Sequence, residues 1–197
     1  MNQLVLIDFD GTVTYSDTMF EFIKFTDGKI GLFLGVLLLS PILCCFKMGW
    51  VSADTAKLSL LNYFYKKKSK IELELLGKQF CEHHSFKKLI KQSALDKIRF
   101  YIENNCKVVI VTASVDLWVK PWANKVGVDC ISTRLQYSEG IYAGEFDGKN
   151  CNGKEKVKGI KSVYCIERFE KIIAYGDTKG DKQMLDLADE AHFKYFD

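Results

Sequence analysis

Only two prolines, Pro41 and Pro121, and three histidines occur in the 197 residues. So little proline, with no internal repeat, excludes a collagen, a repeat array and a proline-rich linker. His83, His84 and His192 suggest no acid–base role and are read as surface or packing residues. Excess charge of one sign is also scarce: 28 Lys+Arg against 25 Asp+Glu leave +3, too little to argue for a nucleic-acid partner without a concentrated patch. The seven cysteines contain no Cys-x-x-Cys pair, which excludes the usual zinc and dithiol redox arrangements. Their odd number and scatter fit reduced thiols in a cytoplasmic setting. The N-terminus has a run of just four apolar residues before Asp8, too short for a signal peptide, so export by that route is not expected.

What is present supports a core. Hydrophobic residues make up 48% and charged ones 27%, a globular balance for about one domain with something appended. Leu4-Val5-Leu6-Ile7 is a continuous apolar run closed by Asp8, and Lys107 to Thr112 and Lys171 to Gly176 repeat it. Such runs fit strands buried on both faces. Helical patterns lie at Leu89 to Glu103, Asp116 to Val126 and Gly180 to Ala188, and this alternation predicts a parallel α/β sheet that binds ligands at the carboxyl ends of its strands. Between the first two strands stand about ninety residues rich in helix formers, read as an inserted helical subdomain. Within it Ser69-Lys70-Ile71-Glu72 reads as a capping box for a helix through Phe80, and Ser52 as the cap of a helix to about Tyr65. Ile131 to Tyr137 and Ile141 to Phe146 flank Ser138-Glu139-Gly140, predicting a hairpin. Trp118 and Trp122, four apart, are expected to anchor their helix to the core.

Residues 30–46, IGLFLGVLLLSPILCCF, carry no charge and lie between Lys29 and Lys47. The segment is at the lower limit for spanning a bilayer, and Pro41 is expected to break or kink it. Burial within the subdomain as a hairpin-like helical pair, peripheral contact with a membrane and a true span are the open readings. Lys66-Lys67-Lys68 with Lys70, and Lys87, Lys88 and Lys91, read as solvated faces that could also favour an anionic leaflet.

The chemistry concentrates at strand ends. Asp8-Phe9-Asp10-Gly11-Thr12 follows the first strand, and alternation in extended chain would direct Asp8 and Asp10 to one side. Two carboxylates so placed repel unless a cation separates them or one is protonated, and a hard divalent ion such as Mg²⁺, which takes oxygen ligands, would resolve the conflict. Gly176-Asp177-Thr178-Lys179-Gly180-Asp181 brings two more carboxylates to the same edge. Thr112 offers a hydroxyl at the end of the second strand, and Ser114 is placed to cap the following helix. Lys154 and Lys156 are the candidates to counter the charge of a phosphate.

Taken in order, strand-DxDGT, strand-Thr, Lys and strand-GDxxxD resemble the haloacid dehalogenase superfamily, specifically its phosphoserine-phosphatase-like branch. Asn150 to Val157 and the apolar block are also similar to phosphatidylglycerophosphatase C-type enzymes. The resemblance implies a Rossmann-like core formed by residues 1–14 and 95–197, with a small β-hairpin, and an all-helical cap at residues 15–94. It implies a Mg²⁺-dependent phosphomonoester hydrolase with Asp8 as nucleophile and Asp10 as general acid and base. Gly11, Thr112, Ala113, Ser114 and Lys156 would bind the phosphoryl group, Lys156 being preferred because it precedes Val157. Asp8, Asp177 and the backbone carbonyl of Asp10 would hold Mg²⁺, with Asp181 behind them or completing the site. The partner would be a phosphorylated small molecule or a lipid headgroup, with residues 30–46 as the membrane contact.

Two departures bear on the substrate. Thr112-Ala113-Ser114 stands where phosphoserine phosphatases generally have Ser-Gly-Gly, and the apolar block is a poor lining for an amino-acid phosphate but a natural one beside a lipid. A receiver-like phospho-acceptor shares these residue types but needs no ninety-residue insert. A catalytically dead interaction protein would show a gap in the motif set, and none is found.

Overall fold

The computed structural model describes residues 2–196. Its N-terminal apolar run forms β1 (Gln3–Ile7), flanked in parallel by β2 (Lys107–Val115) and β6 (Lys171–Gly176). Leu4, Leu6, Val109 and Val111 pack into one layer with Ile160 and Met184, whereas Val5, Ile7 and Ile110 pack into the other with Trp118. Burial on both faces is why these strands read as continuous rather than alternating apolar runs.

Two short strands extend the sheet at its edges, β3 (Asp129–Thr133) and β7 (Glu190–Phe193), in the order β3-β2-β1-β6-β7. Neither has the apolar run of a central strand. The expected hairpin therefore divides: Asp129–Thr133 joins the main sheet, and only β4 (Leu135–Ser138) pairs in antiparallel fashion with β5 (Ile141–Phe146). Glu139 and Gly140 turn it with positive φ of 50° and 79°, the conformation whose twist suits a two-residue hairpin loop.

Between β1 and the core helix α6 (Gln92–Glu103) lie α1 (Thr18–Leu38), α2 (Ser40–Lys47), α3 (Ala53–Tyr65), α4 (Lys70–Glu82) and α5 (His84–Leu89). The chain leaves and re-enters the core at adjacent points: Thr14 and Ile90 bridge, the Tyr15 amide donates to Leu89 O at 2.9 Å, and the Lys91 amide donates to Val13 O at 2.8 Å. Ser52 and Ser69 accept from the amides of Thr55 and Glu72, each at 3.1 Å. The expected return bond from Glu72 is replaced by its pairing with Lys68 at 2.5 Å.

Gly28, with φ 74°, breaks α1, and Leu39 separates α1 from α2. Pro41 stands in the first turn of α2, where its missing N–H is no loss, so it starts a helix rather than kinking one. No single helix among the described residues is long and apolar enough to cross a membrane; α1 and α2, bent by 65°, pass together by length and composition alone. The core is completed by α7 (Asp116–Val126), α8 (Lys154–Val163) and α9 (Lys182–Leu185), the last much shorter than the pattern to Ala188 suggested. Trp118 is fully buried against Phe22, with ring centroids 4.6 Å apart, and thereby ties α7 to the insert.

Candidate active site

Strand order reverses between β1 and β6, the position at which open α/β sheets form a ligand crevice beyond the carboxyl ends of the strands. Asp8 follows β1 and Asp177 follows β6, so the topology alone brings residues from opposite ends of the chain together. Carboxylate oxygens of Asp8, Asp177 and Asp181 lie within 4.8 Å of one another.

Lys156, on the first turn of α8, enters this cluster, whereas Lys154 is exposed. Lys156 is 1% exposed, and its ammonium donates to Asp8 Oδ1 at 2.5 Å, Asp181 Oδ1 at 2.6 Å and Val111 O at 2.8 Å. All three donor positions are used. Burial opposes the charge of Lys156, but the two carboxylates outweigh it and hold the ammonium above its usual range. Burial likewise opposes the charge of Asp181, and Lys156 with the Thr178 bonds keeps it below the usual range. For Asp8 burial prevails over Lys156 and pushes the carboxyl up to about 7; burial raises Asp177 as well.

The loop from Asp8 to Thr14 is held from several sides. Thr12 Oγ1 lies 3.1 Å from Asp8 Oδ2 and 3.2 Å from Asp177 Oδ1. Gly11 has φ 80°, and a Cβ built there would stand 2.2 Å from Asp177 Oδ2; the turn and the close approach both require glycine. Lys91, read from the sequence as solvated, is buried and donates to Gly11 O at 2.8 Å and Phe196 O at 3.0 Å.

Asp10 lies in the turn beyond β1, so strand alternation does not direct its side chain. Asp10 Oδ1 accepts from the Thr18 amide at 2.9 Å and the Thr18 hydroxyl at 2.6 Å, and Oδ2 accepts from the Ser114 hydroxyl. Ser114 therefore does not cap α7, whose N-cap Val115 has no side-chain bond. β2 continues past Thr112 to Val115, and its pairing with β3 shifts register between Val111 and Val115. Such an irregularity re-aims side chains beside a site. Here Thr112 Oγ1 accepts the Ser114 amide at 2.9 Å, fixing the segment that carries Ala113.

A second polar group joins the insert to the core. Lys57 on α3 donates to Ala113 O and lies 3.3 Å from Asn150 Oδ1, while Asn150 Nδ2 donates to Asp54 Oδ1 at 2.6 Å. Asp54 and Lys57 on α3 are far in sequence from Ala113 and Asn150, and only the fold brings the two pairs together. Burial holds the Lys57 ammonium down to about 8 against the pull of Asp10, Asp17 and Asp54, and burial with the neighbouring Asp10 pushes Asp17 up to about 6. A cavity of about 260 Å³ opens here, lined by Asp17, Lys57, Ala113 and Ser114 on its polar side and by Phe20, Leu43, Phe46 and Leu60 on its apolar side.

The cluster holds three carboxylates and one ammonium, which pairs with Asp8 and Asp181 and leaves Asp177, among the described residues, without a cationic partner of its own. The surplus of negative charge and the all-oxygen donor set fit a hard divalent cation. The arrangement can thus place a carboxylate, a lysine and a hydroxyl-bearing segment around a phosphate-sized group.

A family model described as haloacid dehalogenase-like hydrolase matches residues 5–186. Protein CicA of Caulobacter vibrioides is 36% identical over 195 residues, covering 98% of this chain and 86% of that protein. Among solved structures, a Bordetella pertussis protein of unknown function superposes with a TM-score of 0.83 at 20% identity, covering 95% of this chain and 87% of that one. A phosphoserine phosphatase solved as a phospho-aspartyl intermediate analogue gives 0.67 at 18% identity, covering 95% and 83%. At these identities the structural likenesses speak for a shared fold.

Proposed function

Since the chain belongs to the haloacid dehalogenase-like hydrolase family, we propose that it hydrolyses phosphate monoesters in two steps through a phosphoaspartate on Asp8. The observation that carries this reading is the convergence of the Asp8, Asp177 and Asp181 carboxylates, with Lys156 paired to Asp8 and Asp181. A carboxylate oxygen of Asp8 attacks phosphorus as the bond to the leaving oxygen breaks, and the departing alkoxide takes a proton from the Asp10 carboxyl. Water then attacks phosphorus, gives a proton to Asp10 and displaces Asp8, leaving inorganic phosphate. The hydroxyl of Ser114 can accept as well as donate, so it can hold Asp10 in both protonation states. Thr18 fixes the other oxygen and hence the direction of the proton.

Asp8, Asp177 and the Asp10 carbonyl would hold Mg²⁺, with Asp181 beside them. When bound, the ion supplies positive charge to the equatorial phosphoryl oxygens, the main requirement in phosphoryl transfer. Lys156 neutralises Asp8 and keeps it oriented, and Thr112 with the Ala113–Ser114 segment would receive the phosphoryl oxygens. The substrate would be a phosphorylated small molecule or a lipid headgroup. The apolar half of the cavity beside Ser114 favours the second, a lipid phosphate whose polar part meets Lys57 while its carbon chain lies along Leu43 and Phe46.

The test is release of phosphate from p-nitrophenyl phosphate with Mg²⁺, together with labelled phosphate retained on the quenched protein. Both are expected in the wild type and neither in Asp8→Asn. Turnover that survives in Asp8→Asn would remove the phosphoaspartate.

A further inference from the structure

We infer that the outward face of the α1–α2 arm docks on the surface of an anionic phospholipid bilayer. Beyond the break at Gly28, α1 presents Ile30, Phe33, Leu34, Leu37 and Leu38 to the outside, from 52% to 76% exposed. Their spacing, i, i+3, i+4, i+7, i+8, is a complete apolar stripe. The opposite side of the same helix is already packed, with Gly35 buried and Leu32, like Leu39 just past the helix end, against the core. A helix apolar on both sides is normally covered on both, and this one is covered on one. Soluble monomers seldom expose so many contiguous large apolar side chains without a partner.

Charge identifies the partner. No carboxylate occurs between Asp27 and Asp54, and the only charges on that stretch are Lys29 and Lys47, both exposed. A second copy of the chain would set this cationic face against itself, whereas anionic headgroups complement it and contribute about 1 kcal/mol for each well-placed lysine. Past Lys47, Met48 and Trp50 are 54% and 76% exposed, and a tryptophan suits the boundary between headgroups and acyl chains. From Ile30 to Leu38 the stripe is roughly 13 Å long at ~1.5 Å per residue, far short of the ~30 Å hydrocarbon core. The 65° bend before α2 agrees with an arm lying in the interface rather than crossing it.

The inner side of α2 meets the cavity through Leu43 and Phe46, next to Ser114 and Asp17. Docking would therefore set the cavity mouth at the lipid–water boundary. This consequence for the substrate rests on the proposed phosphatase; the docking itself does not.

Flotation of the full chain with vesicles tests it. Wild type is expected to float with phosphatidylcholine vesicles containing about 30% phosphatidylglycerol and about tenfold less with phosphatidylcholine alone. The variant Phe33→Ser/Leu37→Ser/Leu38→Ser, altered only at exposed positions, is expected to lose binding by about tenfold or more while keeping its melting transition. If that transition is lost, the single variants Phe33→Ser and Leu37→Ser carry the same comparison. Lys29→Glu/Lys47→Glu is expected to lose the preference for anionic vesicles. Asp8→Asn is expected to float like wild type, which separates failure of docking from failure of the phosphatase. Wild type remaining at the bottom of both gradients overturns the proposal, as does undiminished flotation of the serine variants. A wild-type dimer that the serine substitutions convert to a monomer, with no vesicle binding, assigns the face to a second copy instead.

Discussion

Lys91 donates to the carbonyl oxygen of Gly11 at 2.8 Å, fastening the segment that closes the helical insert to the loop that carries Asp8 and Asp10. The same ammonium reaches Phe196 O at 3.0 Å, so one buried cation links three distant parts of the chain. Lys91→Met keeps most of the volume and leaves the part-buried Gly11 and buried Phe196 carbonyls without this donor, an expected loss of about 1–3 kcal/mol. Denaturant midpoints measure the loss, and a fall in kcat larger than the change in KM would show the loop displaced. Unchanged stability and unchanged kcat would mean the contact positions nothing.

Lys57 gives the protein a distinctive alkaline response. Burial lowers its folded-state pKa from 10.5 to about 8, so between those values the unfolded chain binds more protons than the folded one. Its contribution to stability is then fully present above pH 10.5 and is lost as pH falls through about 8. Relative to Lys57→Met, wild type is expected to gain stability as pH rises across that window. Chemical denaturation of both proteins across it gives the comparison, and parallel profiles would contradict it.

Asp177 is half-buried and does not pair with Lys156, so Asp177→Asn is expected to fold while weakening the surplus negative charge of the cluster. Mg²⁺ at a hundredfold excess over its dissociation constant is expected to stabilise wild type by about 2.7 kcal/mol, seen as a rise in melting temperature. Asp177→Asn is expected to lose most of that rise. An equal rise in both proteins would place the ion elsewhere.

The three central strands and the DxDGT and GDxxxD segments were legible because buried parallel strands need continuous apolar runs, and because paired acids after such runs have few structural uses. Ser52, Ser69, Trp118 and Trp122 were legible for local reasons: a cap or an i, i+4 pair acts within one turn of its own helix. The edge strands were not, since Asp129–Thr133 and Glu190–Phe193 have no continuous apolar run.

Ser114 shows the limit most directly. Its position before a helix suggested a cap, and tertiary structure gives its hydroxyl to Asp10, more than a hundred positions earlier. Lys91 read as a solvated lysine and Lys57 carried no reading at all, because a sequence does not show which cations folding will bury. By itself the sequence determined the periodicities, the turns and the supply of acids, since these depend on neighbours within a few residues. Which acids meet, which lysine stands among them and which face of the uncharged end of α1 is left uncovered were decided only by the packed chain, where burial and distance set the strength of every charge.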